Sequence, residues 1–151
     1  MKKFGAILLV VVMLLSMLPI NAFAQTSEGE VITSGSCGDN LSWTLDENGL
    51  LVISGTGDMA NWNFWDVSAP WLNYSEQISK VIIEEGVTSI GQNAFCSEDS
   101  YFDYNDHFYS ALTEIDIPNT VTTIHTNGIS GLDVLETITL PPSVTTMVGA
   151  M

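Results

Sequence analysis

Basic side chains are nearly missing from this chain: its three Lys and Arg residues are all lysines, against 18 acidic residues in 151. Two of the three, Lys2 and Lys3, open a segment with the layout of a cleavable export signal. Phe4 to Leu18 is an almost unbroken apolar run that Pro19 ends, and Ala22-Phe23-Ala24 then sets small residues where a signal peptidase reads. The run is about 15 residues, short of the roughly 20 that a membrane-spanning helix needs, so a signal peptide over 1–24 cleaved between Ala24 and Gln25 is expected. Its removal leaves Lys80 as the only cation against all 18 acids, a formal charge of −17. One lysine cannot build a phosphate-binding groove, which excludes nucleic acid and anionic lipid as partners. After residue 24 no stretch is long and apolar enough to span a bilayer, so a secreted or cell-surface location is expected.

Cysteine is scarce as well. An exported protein permits a Cys37–Cys96 bridge, but one pair is too few for a disulfide scaffold. Two buried thiols are the expectation. Catalytic motifs are lacking: there is no Gly-x-Ser-x-Gly elbow, no His-Glu-x-x-His and no Cys-His pattern of recognisable spacing. The two histidines, His107 and His125, stand at a loop and a turn. With 18 acids some carboxylate pair arises by accident, so pairing alone does not signal a glycosidase. The acidic insertion at about 97–107 has oxygen ligands but neither the alternation, the central glycine nor the closing glutamate of a calcium loop. The sequence therefore points to no enzyme, no cofactor and no metal.

What is abundant is repetition. Three segments superpose: Ile78 to Gly91, Leu112 to His125 and Leu135 to Val148. Val81, Ile115 and Ile138 share one column and Ile83, Ile117 and Leu140 the next. Val87, Val121 and Val144, then Ile90, Ile124 and Met147, complete four apolar columns. The second and third copies are 23 residues apart, and the first and second 34, which is one period plus an insertion of 11. Each copy reads as two short strands. The first alternates with a period of two and ends where Pro118 or Pro141-Pro142 cannot donate to a central ladder. A turn with a plugging aromatic, Asn93-Ala94-Phe95 in the first copy, follows the second. No copy can bury its apolar side alone, and stacked copies share one core: a mainly β solenoid.

The pattern L-x-x-I-x-I-P-x-x-V-x-x-I-x-x-x-A-F resembles the BspA-type leucine-rich repeat of bacterial surface proteins. Val81 to Phe95 fits it well, Leu112 to Ile129 fits with Gly128-Ile129 in place of Ala-Phe, and the third copy runs out at Met151. Leu132 stands where the family usually has Cys. Before the repeats, Ser36-Cys37-Gly38, Leu41 to Leu45, Gly49 to Gly57 and Ala69-Pro70-Trp71 resemble the module that often precedes them, which gives a cap over 25–77 and repeats over 78–151. Leu41–Leu45 and Leu50–Ser54, joined by Asp46-Glu47-Asn48-Gly49, read as a β-hairpin. The open end of a solenoid needs a cover, for which Trp43, Trp62, Phe64, Trp65 and Trp71 are the available material.

The resemblance implies adhesion to extracellular proteins, host-matrix proteins among them, through a face of stacked strands. On that face Lys80, Glu114 and Thr137 align, as do Ile82, Asp116 and Thr139, and Thr88, Thr122 and Thr145 form a threonine ladder on the second strand. Two other expectations stand beside it. The chain reads as the front of a longer, perhaps enzyme-bearing surface protein whose repeats serve targeting or spacing, because the third copy leaves an uncovered apolar edge. Alternatively Trp62 and Trp65 present a carbohydrate platform.

Overall fold

The computed structural model describes residues 29–63, 67–97 and 108–149. The export signal with its Ala24–Gln25 junction, the rings of Phe64 and Trp65, and most of the acidic insertion with His107 lie outside the described residues. The described part is mainly β, a solenoid of short strands with an antiparallel hairpin at its front, as the repeats and the 41–54 segment indicate.

The front is built from β1 (Val31–Gly38), β2 (Leu41–Asp46) and β3 (Leu50–Gly55). β2 and β3 pair antiparallel with Leu45 opposite Leu51. Gly49 makes the turn possible with φ of 82°, a value that side-chain-bearing residues rarely adopt. Asp46 locks the turn: its Oδ1 accepts from the Asn48 N–H at 2.9 Å and the Leu50 N–H at 2.8 Å, and its Oδ2 from the Gly29 N–H at 3.1 Å. A carboxylate with three backbone donors can be buried without another charge beside it. β1 was not evident in the sequence. It lies antiparallel on β2, with register irregularities at both ends, and its small, mostly exposed residues hide the alternation expected of a strand.

From β3 the chain passes through β4 (Gly57–Asp58), the Trp62 segment and a short 3-10 turn over Leu72–Tyr74 before the coils begin. The first coil contributes β5 (Lys80–Ile83), β6 (Val87–Ile90) and β7 (Phe95–Cys96); the second β8 (Glu114–Asp116), β9 (Thr123–Ile124) and β10 (Ile129–Ser130); the third β11 (Thr137–Thr139) and β12 (Thr146–Met147). Like strands stack on like. One sheet runs β1-β2-β3-β5-β8-β11, a second β12-β9-β6-β4 and a third β10-β7. The sequence reading of two strands per copy is thus one short: the turn carrying Phe95 is itself a strand, and Ile129 lies opposite Phe95.

The repeat columns are the register of this stack. Val81 pairs with Ile115 and Ile115 with Ile138; Ile90 pairs with Ile124 and Ile124 with Met147. The prolines act as turn formers: Pro118 and Pro141 accept from the N–H of Val121 and Val144, where the first coil uses Glu84 and Val87. β3 pairs parallel with β5, Leu51 beside Val81 and Ile53 beside Ile83. The cap hairpin and the coils therefore share one sheet and one core.

Candidate binding face

The six-stranded sheet turns one side inward and one outward, because successive side chains of a strand alternate. Inward go Leu51 and Ile53, Val81 and Ile83, Ile115 and Ile117, all buried. Outward go the residues between them. Lys80 lies opposite Glu114 and Ile82 opposite Asp116, while Thr137 and Thr139 lie opposite Glu114 and Asp116. All six side chains singled out from the sequence thus sit on one face in the two anticipated columns. The Lys80 ammonium reaches Glu114 Oε1 at 2.8 Å across neighbouring coils. Both partners are partly exposed, so the bridge stabilises by less than about 1 kcal/mol. Ile82 is half-buried, and Asp116, Thr137 and Thr139 are exposed.

The threonine ladder belongs to the second sheet. The Thr122 N–H donates to the Thr88 carbonyl at 2.9 Å and the Thr145 N–H to the Thr122 carbonyl at 3.1 Å. The Thr88 hydroxyl donates to Asp58 Oδ1 at 2.6 Å, and that bond holds the Asp58 carboxyl below its ordinary range.

The tryptophans mostly serve the core. Trp71 is fully buried, edge-on to Trp43 at 6.0 Å and to Trp62 at 5.2 Å, and stacked on Phe95 at 5.5 Å. Its indole N–H and the Tyr109 hydroxyl both donate to the Ala94 carbonyl at 3.0 Å. The Ala-Phe turn of the first coil is therefore where the cap and the start of the second coil are tied together. Burial pushes the Tyr109 phenol above its ordinary pKa. Trp62, read from the sequence as cap material or alternatively as a sugar-stacking ring, is buried too, as the cap reading expects. Its carbonyl accepts from the Asn93 amide at 2.9 Å, so its ring seals the solenoid end and offers no open face to a sugar.

Cys37 and Cys96 are buried thiols not joined to each other, and desolvation pushes Cys37 up to about 12, which keeps it from reacting as a thiolate. His125 follows β9 at a half-buried turn position. No three His, Cys, Asp or Glu side chains among the described residues are grouped to hold a metal ion.

The sequence reading stopped the face at the first coil. The sheet does not: Leu50 lies beside Lys80 and Val52 beside Ile82. The alternation of β3 marks both as outward, but only the pairing of β3 with β5 places them next to the repeat columns.

The family model for the BspA type leucine-rich repeat region (6 copies) matches residues 67–109 and 98–150, more than half of the chain. The chain belongs to the BspA-type leucine-rich-repeat family. Among solved structures it is similar to a leucine-rich repeat protein from Eubacterium ventriosum ATCC 27560, with a TM-score of 0.62 and 25% identity over 76% of this chain. It also matches a leucine rich cell surface protein from Faecalibacterium prausnitzii A2-165, with a TM-score of 0.32 and 12% identity over 77% of this chain. The chain spans 27% of the length of the first and 50% of the second. No curated protein matches it. This BspA-type chain is thus a leucine-rich-repeat protein.

Proposed function

We propose that this BspA-type protein is an exported binding module that recognises an extracellular protein through the outward face of its six-stranded sheet. The observation that carries the reading is the register: Lys80, Ile82, Glu114, Asp116, Thr137 and Thr139 share one open face, at the ~4.8 Å pitch of adjacent strands. Such a face supplies area and pattern without convergent reactive groups, which suits adhesion to a matrix or cell-surface protein. Export rests on the 1–24 segment and on the surface-protein character of the family.

The test is capture of matrix proteins and cell-surface extracts on the immobilised protein at low and high salt. With 18 acidic side chains, capture of basic proteins that vanishes at high salt counts as charge attraction alone. Salt-resistant capture that Ile82→Asp abolishes supports the reading. Capture no better than on a charge-matched control protein sinks it.

A second reading, a front section of a longer surface protein with the repeats as spacer, is favoured by the exposed columns of the third coil. Reading the genomic DNA beyond codon 151 separates the two. In-frame repeats support it, and a stop codon followed by unrelated sequence removes it.

A further inference from the structure

The outward face is longer than the repeats. Following the register from strand to strand, Ser34 lies opposite Thr44, Thr44 opposite Val52 and Val52 opposite Ile82. Ile82 in turn lies opposite Asp116 and Asp116 opposite Thr139. One row of six side chains crosses the whole sheet, half of it from the cap and half from the coils. None of the six is buried.

This row is electrically quiet on a strongly acidic molecule. The six strands carry only four charged side chains: Asp46, Lys80, Glu114 and Asp116. Asp46 is buried in the hairpin turn, and Lys80 and Glu114 are bound to each other. Asp116 is left as the single exposed charge of the six strands without a counter-ion, since beyond Lys3 the chain has no cation except Lys80. Beside it, Val52 and Ile82 make an adjoining, half-exposed aliphatic pair on neighbouring strands. A charge with no local counter-ion next to an aliphatic pair is complementary to a cation next to an apolar side chain. The row has no aromatic ring on which a sugar could stack.

We infer that the row from Ser34 to Thr139 is one docking strip for a protein segment, which sets an apolar side chain on Val52 and Ile82 and a Lys or Arg against Asp116. The inference rests on the protein-binding reading above and adds the partner's chemistry and the participation of the cap. The cap hairpin then has two duties: its inner side closes the core, and its outer side supplies half of the contact row.

The experiment is to pan a phage-displayed random dodecapeptide library on the full protein. Selected peptides are then measured against four variants: Asp116→Lys, Val52→Lys, the milder Val52→Ser, and Asp133→Lys. Asp133 is exposed at a turn outside the sheet, so its variant changes net charge equally away from the strip. Each variant is used only if its Tm matches the parent, and Val52→Ser stands in for a misfolded Val52→Lys. The expected peptides place Lys or Arg beside an apolar residue. Their affinity falls about tenfold or more in Asp116→Lys and in the Val52 variants, and changes less than about twofold in Asp133→Lys. Equal losses in Asp116→Lys and Asp133→Lys reduce the effect to net charge and overturn the strip. Binding that survives the Val52 variants overturns the cap's part in it while leaving protein binding intact. No enriched peptide overturns the strip, and the matrix-protein capture then decides separately whether protein binding stands. Val52-sensitive binding of a soluble polysaccharide, run in parallel, overturns a protein as the occupant.

Discussion

In the first coil Val81, Ile83, Val87 and Ile90 are at most 3% exposed, whereas the same columns of the third coil hold Ile138 at 38%, Leu140 at 43% and Met147 at 40%. The side chains are alike in chemistry and in register. What differs is their neighbours. The first coil has β3 and the aromatic wedge on one side and the second coil on the other, while the described third coil is covered only by the second. In a stacked protein burial is thus a property of the stack, and a leucine in column two has no fixed energetic weight of its own. The front is sealed by rings and the third coil only by half of a neighbour, so the two regions should respond to the same substitution by very different amounts.

The strongest way to break the contrast is at the seal. Trp71→Ala removes a ring that touches Trp43, Trp62 and Phe95 together, and a loss of about 3–5 kcal/mol is expected in urea unfolding. A loss below about 1 kcal/mol would mean that the rings do not hold the front. Next comes the paired comparison within one column. Ile83→Ala should cost about 2–5 kcal/mol and Leu140→Ala less than about 1 kcal/mol, read as midpoint shifts in the same titration. Equal shifts would erase the difference between coils.

A third test uses a column whose occupant changes from coil to coil: Gly91, His125 and Val148. A Cβ at Gly91 would fall on the carbonyl oxygen of Ala60, where the cap chain passes over the first coil. Gly91→Ala should therefore destabilise by about 1–3 kcal/mol through overpacking. Val148→Ala, at an exposed position, should shift the melting temperature very little. The smallest effect is expected at the surface. Lys80→Ala should change unfolding by less than about 1 kcal/mol and less still at high salt; a larger, salt-independent loss would assign the lysine a structural role beyond its bridge.

These contrasts follow the line between what local pattern encodes and what it does not. The columns were legible because a 23-residue period repeats the same inward positions, and the hairpin because alternation flanks an Asp-Glu-Asn-Gly turn. The outward neighbours of Lys80 and Asp116 followed from the same alignment. β7 and β10 escaped because two residues are too few to show a period, and β1 because its inward positions hold Thr33, Gly35 and Cys37 in place of large aliphatics. The share of Leu50 and Val52 in the face was hidden for a different reason. It depends on β3 pairing with β5 across a long connection, and no spacing in the sequence encodes which strand a hairpin will lie against. Trp62 was legible as cover for the solenoid end, since a stack of coils needs large apolar rings there, although its aromatic-acidic segment also admitted an outward, sugar-facing reading.

Lys80 has a consequence beyond its ion pair. Proteases that cut after basic residues find, past Lys3, one target in this chain, and it lies in β5 with β3 on one side and β8 on the other. The surface turns and the acidic insertion offer such enzymes nothing to hydrolyse. Cleavage would have to wait for the central sheet to open, so digestion by trypsin should follow global unfolding and not local fraying. Under native conditions the bond after Lys80 should stay intact, and in urea it should part and leave two fragments. The near absence of cations with which the sequence began thus leaves trypsin-like proteases a single bond past Lys3, and that bond is held in the sheet.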